Sequence, residues 1–198
     1  MKKTILAIAL AAMSGSACAE MVDGGQITIG GLVSQNTCIP HVNGGAQDAE
    51  IMLQTATVEE VKATNGVKDL EVGAKPKNFS ITLDCSKATS MTKTDVAMRM
   101  DSTFFGNSQG TLSNDQSILE PAYNTGIAIH SLDTSGSSNA YKQVKINNPE
   151  STIKNGKLSA SDRTYTWRFT ASYVTLVANQ DPKPGHVKTN ASYTFEYN

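Results

Sequence analysis

From Tyr165 to Tyr173 the chain alternates with a period of two. Tyr165, Trp167, Phe169, Ala171 and Tyr173 share one parity, and Thr166, Arg168, Thr170 and Ser172 share the other. Such a run fits a strand with one face against a core and does not fit a helical stripe. The same period recurs in Phe79-Ile81-Leu83-Cys85, in Val96-Met98-Met100 and in Ile127-Ile129. It returns at the C-terminus as Val187, Thr189, Ala191, Tyr193, Phe195 and Tyr197, after a turn at Pro182-Lys183-Pro184-Gly185. A shorter run, Gln26-Ile27-Thr28-Ile29, precedes Gly30-Gly31. Val42-Asn43-Gly44-Gly45 and Asn65-Gly66 read as turns. Ile51 to Val61 is ambiguous in period and fits either a strand or a short helical turn. Short strands punctuated by Gly, Asn and Pro, without a long helical pattern, specify an all-β sandwich. No repeat or linker divides the chain, and Thr134 to Asn139 reads as a loop tip.

Composition narrows the function. Ser and Thr supply about a fifth of the 198 residues, which suits strands and turns. With 17 basic and 18 acidic residues the formal net charge is −1, so the chain lacks the basic face that nucleic acid or an anionic membrane surface requires.

The N-terminus reads as a targeting segment. Lys2 and Lys3 precede an apolar run from Thr4 to Met13, and small residues then lead to Ala17-Cys18-Ala19. This is the layout of a secretory signal peptide over residues 1–19, cut between Ala19 and Glu20. Lipidation of Cys18 is the rival reading, but of its requirements only the small residue Ala17 is present. Loss of Lys2 and Lys3 leaves 15 basic against 18 acidic residues, a net charge of −3. Of the three cysteines, Cys38 and Cys85 then remain in an oxidising compartment, where an even pair reads as a disulfide. Metal binding is the alternative, but no C-x-x-C is present and only His41 lies near either cysteine.

Other chemistry finds little support. Gly106-Asn107-Ser108-Gln109-Gly110 fits the G-x-S-x-G pattern, with Asp181 and His186 downstream, but a nucleophile elbow needs a strand before the serine and a helix after it. Thr111-Leu112-Ser113-Asn114 starts no helix, so catalysis is not expected. His41, His130 and His186 are scattered, and no metal or cofactor is implied. Trp167 and its tyrosines form either a sugar-stacking platform or core, and strand spacing favours core. Asn78-Phe79-Ser80 and Asn190-Ala191-Ser192 match the N-glycosylation pattern, but both fall in expected strands.

Several features together resemble the pilin subunits of chaperone–usher fimbriae. They are the signal segment, the alternating strand ending in glycine ahead of the first cysteine, the cysteine pair, and a closing motif. That motif comprises Phe169-x-Ala171-x-Tyr173, the Pro184-Gly185 turn, and an alternating strand to Tyr197, with Gly185 fourteenth from the end and Tyr197 penultimate. Gly126-Ile127-Ala128-Ile129 with Leu132-Asp133 resembles the family's mid-chain strand. The stretch Val42 to Cys85, with Val58-Glu59-Glu60-Val61-Lys62 and Lys75-Pro76-Lys77-Asn78-Phe79, is similar to type 3 major subunits. Residues 101–125 and 134–160 match least.

The resemblance implies an immunoglobulin-like sandwich that lacks its final strand and leaves an apolar groove and a bare edge. It implies that residues 20–32 form a donor extension, with Ile27, Ile29 and Gly31 entering a neighbour's groove, and that residues 33–198 form the pilin domain. Gly185, Val187, Tyr193, Phe195, Tyr197 and Asn198 would mark the groove-edge strand, which a periplasmic chaperone also reads. An outer-membrane usher, head-to-tail copies of the chain and a tip adhesin would complete the partners of an extracellular filament serving attachment or biofilm. A minor or adaptor pilin, or a self-closed secreted sandwich that binds a ligand, is the alternative.

Overall fold

The computed structural model describes residues 38–88, 96–133, 140–154, 157–159 and 163–197. The expected cleavage pair Ala19/Glu20, the donor positions Ile27, Ile29 and Gly31, and Asn198 lie outside these residues. The elements are, in order, β1 (Ile39–Val42), α1 (Val58–Lys62), β2 (Ala74–Asp84), β3 (Val96–Asp101), β4 (Leu112–Ser113) and β5 (Thr125–Asp133). They continue with β6 (Ala140–Gln143), β7 (Ile153–Lys154), β8 (Lys157–Ser159), β9 (Thr164–Thr175) and β10 (Ser192–Tyr197). One sheet follows the path β1-β2-β9-β5-β4, with β6 paired to β5 and β8 to β9; the other is β10-β3-β7.

Register explains how alternating runs become one core. Phe79 pairs with Phe169, Ile81 with Trp167 and Leu83 with Tyr165 across β2 and β9. Ile127 pairs with Tyr173 and Ile129 with Ala171 across β5 and β9. Because paired residues point to the same side, three strands present one continuous apolar face. Val96, Met98 and Met100 of β3 pack against it from the second sheet. Leu83, Met98 and Phe169 are fully buried, each contributing about 1.5–3 kcal/mol through burial. Trp167 is 3% exposed and donates its indole N–H to the Ile153 carbonyl at 3.3 Å, so it belongs to the core and offers no sugar platform.

Cys38 and Cys85 form a disulfide, with Cα atoms 4.2 Å apart. The bond extends the β1–β2 ladder by one step, since Ile39 pairs with Asp84. The ambiguous stretch before Lys62 resolves into a single helical turn because Thr57 closes a capping box with Glu60. Glu60 also pairs with Lys75 at 2.7 Å. That pairing, with the Thr57 backbone N–H, holds the Glu60 carboxyl below its ordinary value. Asn43 and Gly44 both take positive φ, 50° and 74°, which reverses the chain directly after β1.

The other face of the larger sheet carries buried polar residues: His130, Thr170 and Ser172 are all nearly inaccessible, as is Thr175 at the end of β9. Residues 64–73 cross them as a strap. The Gly66 N–H donates to Thr175 Oγ1 at 2.6 Å and the Gly73 N–H to Ser172 Oγ at 2.8 Å. The Thr175 N–H donates to Thr64 Oγ1, and His130 Nε2 donates to the Lys68 carbonyl at 2.8 Å. These bonds pair the buried hydroxyls of Thr175 and Ser172 and His130 Nε2 with the strap, while His130 Nδ1 is left without a partner. Nothing in the period of the sequence signalled the strap.

Candidate functional site: an open groove between the sheets

The C-terminal alternation predicts a strand from Val187 to Tyr197, but the ladder begins only at Ser192. The reason is a missing neighbour. Asp101, the first partner, pairs with Ser192, and above it β3 ends. Residues 187–191 are held from the side by loops: the Asp115 N–H donates to the Lys188 carbonyl and the Lys188 N–H to Asn114 Oδ1, both at 2.8 Å. Ser102 Oγ donates to the Asn190 carbonyl at 2.8 Å. Asn190 of the second sequon therefore lies ahead of the strand, exposed, contrary to the sequence reading. Among the described residues β10 pairs with β3 alone, so no strand occupies its other side.

Beside that unoccupied side lies a groove of about 520 Å³. Residues 187–193 form one wall and residues 47–53 the other. The floor is the core itself, reached at Ile81, Met100, Ile127, Ile129, Ala171 and Tyr173. Ile51 and Leu53 pack partly against that core. Their spacing of two is the one sequence signal for this wall, and the polar run Gln47 to Glu50 masks it. Thr189 Oγ1 is out of solvent and has no hydrogen-bond partner.

The two walls meet at one end. The Tyr193 hydroxyl donates to the Gln47 carbonyl at 2.6 Å. Burial, with the Asp48 carboxylate adding to it, pushes that hydroxyl above its ordinary value and keeps it a donor. Below it the sheets are closed by rings: Tyr193 lies 5.6 Å from Phe195, and Phe195 lies 5.3 Å from Trp167. Burial also raises the Tyr197 hydroxyl. At the opposite end Gly185 fixes where the wall starts. A Cβ there would stand 2.5 Å from the Ala122 nitrogen and the Glu120 carbonyl. This close approach lets the His186 N–H bond to Glu120 and the Ala122 N–H bond to His186.

Of the positions expected at the edge, the structure thus brings Val187 and Tyr193 to the groove and sets Gly185 at its head. It places Phe195 in the closing ring cluster and Tyr197 at the end of β10. The G-x-S-x-G segment is a tight loop in which Gly106 bridges to Leu112 and the Gly110 N–H returns to Asn107, with no helix following. Among the described residues no cluster of three or more His, Cys, Asp or Glu is placed to hold a metal.

The family model for fimbrial proteins matches residues 26–198. No curated protein matches the sequence. A chain from a solved chaperone–usher pilus, described for the basis of rod uncoiling, aligns with 89% of this chain and 96% of its own at 15% identity and a TM-score of 0.50. The P pilus rod subunit PapA aligns with 88% of this chain and all of its own at 14% identity and a TM-score of 0.50. At such identity the likeness is one of fold: the incomplete immunoglobulin-like sandwich of pilins. With the family model spanning nearly the whole chain, this protein belongs to the fimbrial protein family.

Proposed function

We propose that the chain is a structural subunit of a chaperone–usher fimbria and polymerises head to tail by donor-strand complementation. The observation that carries this reading is the apolar groove beside the strandless side of β10. Residues 1–19 act as the signal peptide, 20–32 as the donor extension and 33–198 as the pilin domain. Ile27 and Ile29 of one copy enter the groove of the next, and Gly31 follows where the backbones must approach closely. Each buried Ile contributes about 1.5–3 kcal/mol, and main-chain bonds to the groove edge add to this. A backbone group of the inserted strand also offers Thr189 Oγ1 the partner it lacks. A periplasmic chaperone covers the same groove before assembly, and an outer-membrane usher exports the subunit to the cell surface. A head-to-tail contact that does not close on itself makes a filament.

The test uses the mature chain with Ile27→Asp and Ile29→Asp together. This variant should fail to form detergent-resistant multimers, and its melting temperature should rise when a synthetic peptide of residues 20–32 is added. Multimers formed as readily as by the unaltered chain, or a melting temperature indifferent to the peptide, would mean that the sandwich closes itself.

A further inference from the structure

At one end of the groove a single side chain joins the two walls, above the rings that close the sheets. By parity, Val187, Thr189 and Ala191 are the inward positions of the wall before Tyr193. Val187 is half-buried, and Ala191 is small and exposed to the groove. Tyr193 then crosses to Gln47 and joins the two walls.

The direction of an inserted strand follows from the geometry. Residue 38, where the described chain begins, is joined to Cys85 next to the Asp84–Thr164 pair. Phe195 stacks near Trp167 and Tyr165, so residue 38 lies at the Tyr197 end of the sandwich. In a head-to-tail filament the donor must remain attached to a subunit lying beyond the other end, the Val187 end. A donor strand therefore runs antiparallel to β10, with Gly31 toward Val187 and Ile27 toward Tyr193. One further step of the same parity reaches Gly25, next to Gly24.

We infer that Tyr193, bonded to the Gln47 carbonyl, is the end-stop of the groove and fixes the register of the incoming strand. Resting on the donor-strand reading, the stop makes Ile27 the last inward side chain at its end and admits none beyond it. Gly24-Gly25 is the matching feature of the donor, since it brings no side chain against the tyrosine. Discrimination among competing strands then comes partly from exclusion: a segment with a third bulky residue at this position meets the stop.

The test takes the mature chain with Ile27→Asp and Ile29→Asp, whose own tail does not compete, and measures peptide dissociation constants. Peptides 20–32 and 26–32 should bind within about twofold of one another, and Gly25→Val in the longer peptide should bring no gain. In a Tyr193→Ala background the Gly25→Val peptide should bind about tenfold tighter than its parent. A tenfold loss on truncation to 26–32, or a tenfold gain from Gly25→Val with Tyr193 intact, overturns the stop. The truncation comparison needs no change at Tyr193, so it decides even where Tyr193→Ala does not fold. Failure of every peptide to bind overturns the donor-strand reading itself, and the stop with it.

Discussion

At the scale of residues, Gly185 shows how a backbone contact is set by the lack of one carbon. Any side chain there meets the Ala122 nitrogen and the Glu120 carbonyl, backbone atoms that have nowhere to go. Gly185→Ala should therefore destabilise the fold by about 1–3 kcal/mol, the range for overpacked sites. Urea unfolding of the disulfide-bonded protein measures this, and a loss below about 0.5 kcal/mol would show that the 120–122 segment shifts freely. Glu60 gives a prediction in pH. Its carboxyl is held below the ordinary 4.5 by Lys75 and the Thr57 N–H. A lowered folded value means that its contribution is present above 4.5 and is lost as pH falls through the lower folded value. Amide protection over residues 58–62, taken relative to the intrinsic exchange rate at each pH, should thus fall under acid conditions in the unaltered protein, and Glu60→Gln should abolish that dependence. Persistence of the dependence in the variant would assign it to another group.

At the scale of elements, what the sequence disclosed and what it hid divide along periodicity. The alternating runs around Leu83, Met98, Ile129 and Phe169 are strands, since a half-buried strand writes its two faces directly into residue order. The cysteine pair was legible from compartment and count. The strap over residues 64–73 was not legible, because its role is hydrogen bonding to buried Thr, Ser and His side chains, and such bonding leaves no period. For the same reason, Thr170 and Ser172 look like solvent-facing positions but are buried. The groove was legible on one side only. Val187 to Tyr193 announces itself, whereas Gln47 to Leu53 opens with Gln47, Asp48 and Glu50 and is a wall only because the Asn43-Gly44 reversal carries it across to Tyr193. The expected strand was also too long at its start: alternation records which face is apolar, but a ladder needs a neighbour, and residues 187–191 have none among the described residues.

At the scale of the whole molecule, the disulfide closes a loop of 47 residues in separation across the first two strands. In the chain-entropy picture such a bond stabilises the native state by about 4 kcal/mol. Changing Cys38 and Cys85 together to Ser should lower the unfolding free energy by an amount of that order. A change below about 1 kcal/mol would mean that the linked loop is already ordered in the unfolded chain.

The position of this bond also sets how the subunit carries load. In a filament joined as proposed, tension arrives through the tail at residue 38. Without a covalent link it would pass first into the four residues of β1, a short edge ladder that gives way early. The Cys38–Cys85 bond instead hands the pull to the end of β2, whose pairing with β9 runs from Asp84–Thr164 to Ala74–Tyr173. Force applied along that ladder loads its hydrogen bonds together rather than one after another. The sandwich is thereby anchored to its tail through its longest pair of strands.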